Sequence, residues 1–174
     1  MKVALYLGSF NPFHNGHLEV VKTALKDFKM DKVVIVPAMQ NPWKREKVLD
    51  FNNRIYILRI QLQEEFFPKQ WLKIGIDNIE KFLTPPYYSY ATLHALKNKY
   101  CNDEIFILCG EDTIKDIPNW MNGEQIIKDY NFLICDRSSD SISSTEIRNK
   151  IKKKEDISKY VNPNVINLIK KYYE

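Results

Sequence analysis

Two histidines three residues apart, His14 and His17, stand in the stretch LGSFNPFHNGHLEVV over residues 7–21. The stretch lies where an apolar run, VALYL (3–7), gives way to a helical pattern starting near Asn15. Histidine, glycine and proline are poor choices for holding such a junction together by packing, so the composition points to a bound ligand. Imidazole N–H groups in the first turn of a helix, where the helix dipole already favours an anion, can stabilise charge developing on a phosphoryl group. Gly8 and Ser9 at the strand end let the backbone approach a ligand closely and aim N–H groups at phosphate oxygens. The same pair of histidines could share a metal ion, but the only other one, His94, falls in a different helix and supplies no third ligand. Phosphate binding is therefore preferred, and no metal site is assigned.

A second segment, SISSTEIR (141–148), carries Ser143 followed three residues later by Glu146. That spacing is a capping box, so a helix should start here with free N–H groups flanked by the hydroxyls of Ser144 and Thr145. Arg148 projects from the same turns. A well-capped helix would by itself explain SxxE; the added arginine turns the segment into an oxyanion cradle. Arg137, just past the preceding strand pattern, adds to the same positive field.

The elements that must position these groups follow from periodicity. VALYL and KVVIVP (32–37) read as buried strands, and HLEVVKTALKDF between them places Leu18, Val21, Leu25 and Phe28 on one helical face. A helix over NNRIYILRIQLQEEF has Ile55, Leu58, Ile60 and Leu62 near its buried side, and WLKIG reads as a third strand. The helix SYATLHALKNKY, the strand EIFILCG, the helix GEQIIKDY and the strand NFLICDR continue the alternation, and helices around 144–153 and 163–173 close it. This pattern predicts an α/β fold: a doubly wound, mostly parallel, Rossmann-like sheet with C-terminal helices, one domain over residues 1–174. In such sheets ligands bind outside the carboxyl ends of the strands, near the point where strand order reverses. The unusual stretches, LGSFNPFHNGH, PAMQNPWK, CGEDTIKDIPNW and DRSSDSISSTEIR, all follow strands and so fall on one edge.

Composition narrows the class. The 174 residues are 44% hydrophobic and 28% charged, ordinary for a folded soluble protein. No apolar run approaches the ~20 residues of a membrane span, and the start does not read as a signal peptide, so a cytoplasmic location without a membrane partner is expected. Cys101, Cys109 and Cys135 are odd in number and lack CxxC spacing, which speaks against a disulfide framework. The net charge of +4 suits acidic ligands. The basic run IKKKED (151–156) has no interleaved aromatics and reads as an exposed helix end, so no nucleic-acid partner is expected.

The segment GSFNPFHNGH (8–17) resembles the GxFxPxHxGH signature of the HxGH nucleotidyltransferases, and SISSTEIR is similar to their ISSTxIR motif. Within that superfamily, ILCGEDTIKDIPNWMNGEQIIKDYNFLICDR (107–137) resembles the G-A-D…L-P-x-W…N-R block of the nicotinate (nicotinamide) mononucleotide adenylyltransferases. The resemblance runs from about residue 3 to the C-terminus. It implies that the 5′-phosphate of a pyridine mononucleotide attacks the α-phosphate of ATP, with no covalent enzyme intermediate. With nicotinate mononucleotide the products are deamido-NAD and pyrophosphate, a step of NAD biosynthesis. Mg²⁺ would be held mainly by the ATP phosphates. By the same resemblance His14 and His17 contact the ATP phosphates, with His17 nearest the α-phosphorus. Gly8, Ser9 and Phe10 give backbone contacts, and Lys44 is the loop lysine that approaches the triphosphate. Gly110 and Asp112 match G-x-D, with Asp112 suited to a ribose hydroxyl, and Trp120 matches the tryptophan that stacks on the pyridine ring.

The chain departs from the family pattern in places. Asn41-Pro42-Trp43-Lys44 stands where bacterial members commonly carry P-P-H-K, losing a histidine near the phosphates. Ser89 keeps a hydroxyl at a family threonine, Ala91 replaces an acid, Asn11 replaces a frequent aspartate, and Glu111 replaces the alanine of G-A-D. Asn11, Ser89 and Trp120 are assigned to the mononucleotide side, where these departures bear on base specificity. Rival readings are nicotinamide mononucleotide as the preferred acceptor, a phosphopantetheine adenylyltransferase, or a nucleotide-binding module without catalysis. Whether the chain forms a homo-oligomer is left open.

Overall fold

Apolar runs too continuous for one-sided strands become the interior of a parallel sheet. The computed structural model describes residues 1–40, 48–135 and 142–174. Five strands, β1 (Lys2–Gly8), β2 (Lys32–Pro37), β3 (Ile74–Ile76), β4 (Glu104–Gly110) and β5 (Asn131–Cys135), pair in the order β3-β2-β1-β4-β5. Every pairing is parallel, with Leu5 opposite both Val34 and Ile107. Strand order therefore reverses beside β1, which lies between β2 and β4. A doubly wound sheet presents its ligand crevice at that point.

Alternate residues of the central strands feed two cores. Ala4, Tyr6, Val33 and Ile35 pack against Leu18, Val21 and Ala24 of α1 (Asn15–Lys26) and Leu58 and Leu62 of α2 (Phe51–Phe66). Val3, Leu5, Val34 and Val36 pack on the opposite face against Leu93 and Leu96 of α3 (Ser89–Lys99) and Ile126 of α5 (Gly123–Asp129). A third cluster joins Ile57 of α2 to Ile147 and Ile151 of α6 (Ser144–Lys152) and Ile169 of α7 (Ile166–Tyr173). Because α2 is sandwiched between the sheet and these C-terminal helices, it buries more than the single stripe its sequence suggests. Ile57 is fully buried while Ile60 is only partly so.

Two expectations change. The run WLKIG is not a strand throughout: Trp71–Lys73 forms a turn of 3₁₀ helix, closed by the Lys73 N–H on the Gln70 carbonyl at 2.9 Å, and β3 is only three residues long. The stretch after β4, to which the sequence pattern gives no element before GEQIIKDY, starts a short helix at once, α4 (Glu111–Asp116), followed by a 3₁₀ turn over Ile117–Asn119. Among the described residues no helix is long and apolar enough to cross a membrane.

Candidate active site

The turn after β1 is built around its own aromatic residues. Phe10 takes a left-handed backbone (φ 47°), and its ring folds back over Gly8, where an added Cβ would sit 2.9 Å from the ring. A side chain at position 8 would have to push that ring aside. His14 caps α1, and its backbone N–H donates to Nδ1 of His17 at 3.2 Å. That acceptor role leaves the proton of the neutral His17 ring on Nε2. The His17 ring is set by stacking on Phe13 (5.1 Å) and by an edge contact with Phe10 (5.1 Å), with His14 at 3.8 Å. Buried Gln61 holds the Phe13 carbonyl at 2.8 Å.

The start of α6 is sewn onto that turn. Ser143 caps the helix, its Oγ accepting from the Glu146 N–H at 3.1 Å while the Glu146 carboxylate accepts from the Ser143 N–H at 2.7 Å. The Ser144 hydroxyl donates to the Pro12 carbonyl (2.9 Å), and Arg148 donates to the Asn11 carbonyl (2.8 Å) and the Thr145 hydroxyl (3.1 Å). On the far side of Asn11, its Oδ1 accepts from the Tyr173 hydroxyl at 2.6 Å. The bonds from the Ser143 backbone and hydroxyl hold the Glu146 carboxyl below its ordinary range. A depressed carboxylate contributes stability above its unfolded value and loses it as pH falls through the folded one. Apart from that titration, Ser143→Ala removes the Oγ acceptor of the Glu146 N–H and should lower the melting temperature by about 2–4 °C, the equivalent of about 1 kcal/mol for a lost N-cap. Acidification should narrow the gap between the two melts only by the share of the Ser143 hydroxyl bond to the Glu146 carboxylate, and a melting temperature unchanged by Ser143→Ala would contradict the cap.

A cavity of about 680 Å³ opens between these segments at the carboxyl edge of β1, β2 and β4. Gly8, Ser9, Phe10, Asn11, His14 and His17 line one wall. Ser143, Ser144, Thr145 and Arg148 line another, and Ser89, Gly110 and Trp120 face the same space. The histidine pair and the arginine thus meet one hollow. Asp112 does not line it: Asp112 is exposed on α4, and the helix turns Thr113 and Asp116 toward the cavity instead. Lys44, with Trp43 and Asn41, and Arg137 lie outside the described residues. Two cavity-lining carboxylates were not singled out from sequence. Asp116 accepts from the Trp120 indole N–H at 2.9 Å and so orients that ring. Glu80, 4% exposed, accepts from the Met39 N–H (2.7 Å) and the Thr92 hydroxyl (2.8 Å), and burial pushes its carboxyl above the ordinary range. An acid four residues before a tryptophan was visible as a helical pair; the Glu80 contacts, with partners 41 and 12 residues away, were not.

Cys109 also lines the cavity, and burial pushes its thiol up to about 11. The reactive thiolate is therefore scarce at neutral pH. Iodoacetamide at neutral pH should label the exposed Cys101 well before Cys109, and Cys109 labelling should climb as pH rises toward that value. Peptide mapping checks this, and equal neutral-pH rates for the two would contradict it.

A parallel sheet whose switch-point edge gathers a histidine pair and two capped helix starts defines a nucleotide-handling α/β protein. The chain belongs to the cytidylyltransferase-like family, whose model matches residues 5–150, and within it to the nicotinate-nucleotide adenylyltransferases. It is 36% identical to a candidate nicotinate-nucleotide adenylyltransferase of Fusobacterium nucleatum, over 99% of each chain. Its fold matches a candidate nicotinate-nucleotide adenylyltransferase of Vibrio parahaemolyticus with a TM-score of 0.81 and 23% identity, covering 99% of this chain and 96% of that one. It also matches the nicotinic acid mononucleotide adenylyltransferase of Plasmodium falciparum complexed with NaAD, with a TM-score of 0.76 and 21% identity over 98% and 95%.

Proposed function

We propose that this chain transfers AMP from ATP to nicotinate mononucleotide, forming deamido-NAD and pyrophosphate, and that residues 1–174 act as one nucleotidyltransferase domain in the cytoplasm. The observation that carries this reading is the shared cavity lined by His17 and Arg148 at the switch point of the sheet. In the reaction a phosphate oxygen of the mononucleotide bonds to the α-phosphorus of ATP as the bond from that phosphorus to the bridging oxygen breaks, and the electron pair leaves with pyrophosphate. Nothing in this step needs a protein nucleophile. It needs positioning and donors aimed at the charge that builds on the phosphoryl oxygens.

The residues supply those donors. The Nδ1 bond of His17 fixes its tautomer, so Nε2–H is the donor it offers to a phosphoryl oxygen. His14, Arg148, the hydroxyls of Ser143, Ser144 and Thr145, and the backbone of Gly8, Ser9 and Phe10 surround the triphosphate, with Lys44 and Arg137 as further cations. Gly110 is read as the ATP-ribose side, without Asp112, which faces away from the cavity, and Asn11, Ser89 and Trp120 as the mononucleotide side, Trp120 stacking on the pyridine ring. Among the described residues no group of three or more His, Cys, Asp and Glu is arranged to hold a metal ion. That donor set suits Mg²⁺ arriving on the ATP phosphates, where it neutralises their charge.

The test is to supply the purified protein with ATP and Mg²⁺ and each of nicotinate mononucleotide, nicotinamide mononucleotide and phosphopantetheine, and to measure pyrophosphate release. Release with the first is expected. Release with phosphopantetheine alone overturns the acceptor, and no release with any of the three leaves a nucleotide-binding module. One observation favours the amide acceptor as a second reading: Asp116, in the wall beside Trp120, places a negative charge where a nicotinate carboxylate would be repelled. The same assay ranks the two pyridine mononucleotides.

A further inference from the structure

Arg54 lies in the second turn of α2 and is only 1% exposed, yet among the described residues no carboxylate bonds to it. Its guanidinium donates to four backbone carbonyls instead: Nε to Leu49 (2.9 Å), Nη1 to Ser9, and Nη2 to Ala38 (2.8 Å) and Met39 (3.1 Å). A buried guanidinium is costly to desolvate, and an apolar side chain of similar volume commonly fills such a place at no loss of stability. Filling the core therefore does not explain it.

Its acceptors do. Ser9 leaves the carboxyl end of β1, Ala38 and Met39 leave the end of β2, and Leu49 precedes α2. These are the turn at the phosphate wall and both flanks of the segment that carries Lys44. On the other side of Met39, Glu80 takes the N–H of the same residue whose carbonyl Arg54 holds. The Ser9 bond has a further effect. In a trans peptide the carbonyl and the following N–H point in opposite directions, so holding the Ser9 carbonyl inward turns the Phe10 N–H away from Arg54. No described residue accepts a hydrogen bond from that N–H, and both Ser9 and Phe10 line the cavity.

We infer that Arg54, with Glu80 as its counterpart, is the positioning residue of the phosphate site: it sets the Ser9–Phe10 peptide and pins residues 38–39 and 49 to it. Only a planar fork can bridge carbonyls from three segments; a lysine ammonium at this place keeps the charge and loses the geometry.

The inference rests on the adenylyl-transfer reading for its activity readout and not for its binding readout. Arg54→Lys is compared with the parent well below both melting temperatures, by kcat, by KM for each substrate, and by the Kd of a non-hydrolysable ATP analogue. The expected result is a loss of about 10- to 100-fold in kcat and a weakened analogue Kd, with KM for the mononucleotide changed far less, as displaced reacting groups produce. A folded Arg54→Lys with kcat and analogue Kd within about 2-fold of the parent, whatever its melting temperature, overturns the inference. Should Arg54→Lys not fold, the Glu80 variants decide. Glu80→Ala should lose kcat or analogue affinity about 10-fold, and Glu80→Gln, which still offers Met39 an acceptor, should restore most of it. Equal activity and affinity in parent, Glu80→Ala and Glu80→Gln would overturn it. A parent that binds the analogue but releases no pyrophosphate refutes the reaction alone, and one that binds no analogue refutes both.

Discussion

Replacing His17 with alanine should lower kcat by about 10²- to 10³-fold, equivalent to about 3–4 kcal/mol of transition-state stabilisation, the loss seen when one preorganised donor is removed from a developing oxyanion. The orientation of this imidazole is over-determined. Phe13 stacks on it, Phe10 meets it edge-on, and the His14 N–H occupies Nδ1. A donor held this firmly needs no reorganisation as charge builds. The same bond separates catalysis from stability. Alanine leaves the His14 N–H without its partner and should cost about 1 kcal/mol of folding stability besides activity. His17→Asn can still accept from His14, so its melting temperature should stay near that of the parent while kcat falls as far as in His17→Ala. Pyrophosphate release at saturating substrates, beside a thermal melt, measures both. A kcat within a few-fold of the parent would remove His17 from the role given to it.

Gly123→Ala should be more damaging than an added methyl group at Gly8, Gly16 or Gly75. A Cβ at position 123 would stand 1.8 Å from the carbonyl oxygen of Ile117 and 2.9 Å from its carbon, both backbone atoms that cannot rotate aside. The 3₁₀ turn over Ile117–Asn119 must move away from α5. That turn accepts the Trp120 N–H at 2.9 Å, and the Gly123 N–H in turn donates to the Trp120 carbonyl at 3.0 Å. Overpacking of this kind costs about 2–3 kcal/mol, which lowers the melting temperature of a chain this size by about 5–10 °C. Because the displaced backbone carries the indole, KM for the mononucleotide should rise while KM for ATP changes little. An unchanged melting temperature would mean that α5 can slide without cost.

What could be read from the sequence was whatever has a short-range cause. The histidine pair at the start of α1 and the Ser143–Glu146 cap rest on contacts within three or four residues, the β-α-β opening shows in the local period of each of its elements, and all three are where periodicity and capping rules put them. The fold class followed from the same alternation. Tertiary context decided the rest. The helix after β4 is not assigned from sequence because six residues are too few for a period to show, and its direction turns Thr113 and Asp116 inward rather than Asp112. Arg54 reads as the polar face of an amphipathic helix until Ser9 and Ala38, 45 and 16 residues away, are brought beneath it. The partly strand-like WLKIG fails at its first three residues because only Ile74–Ile76 reach the edge of β2.

The hydroxyl of Tyr173 rests on the amide of Asn11, 162 residues upstream, and Asn11 is also gripped by Arg148. A polypeptide still emerging from the ribosome therefore carries its histidines long before it owns the pieces that brace them. Bracing of the histidine turn is thus the last part of this stretch of chain to be completed, because it waits for α7 to dock.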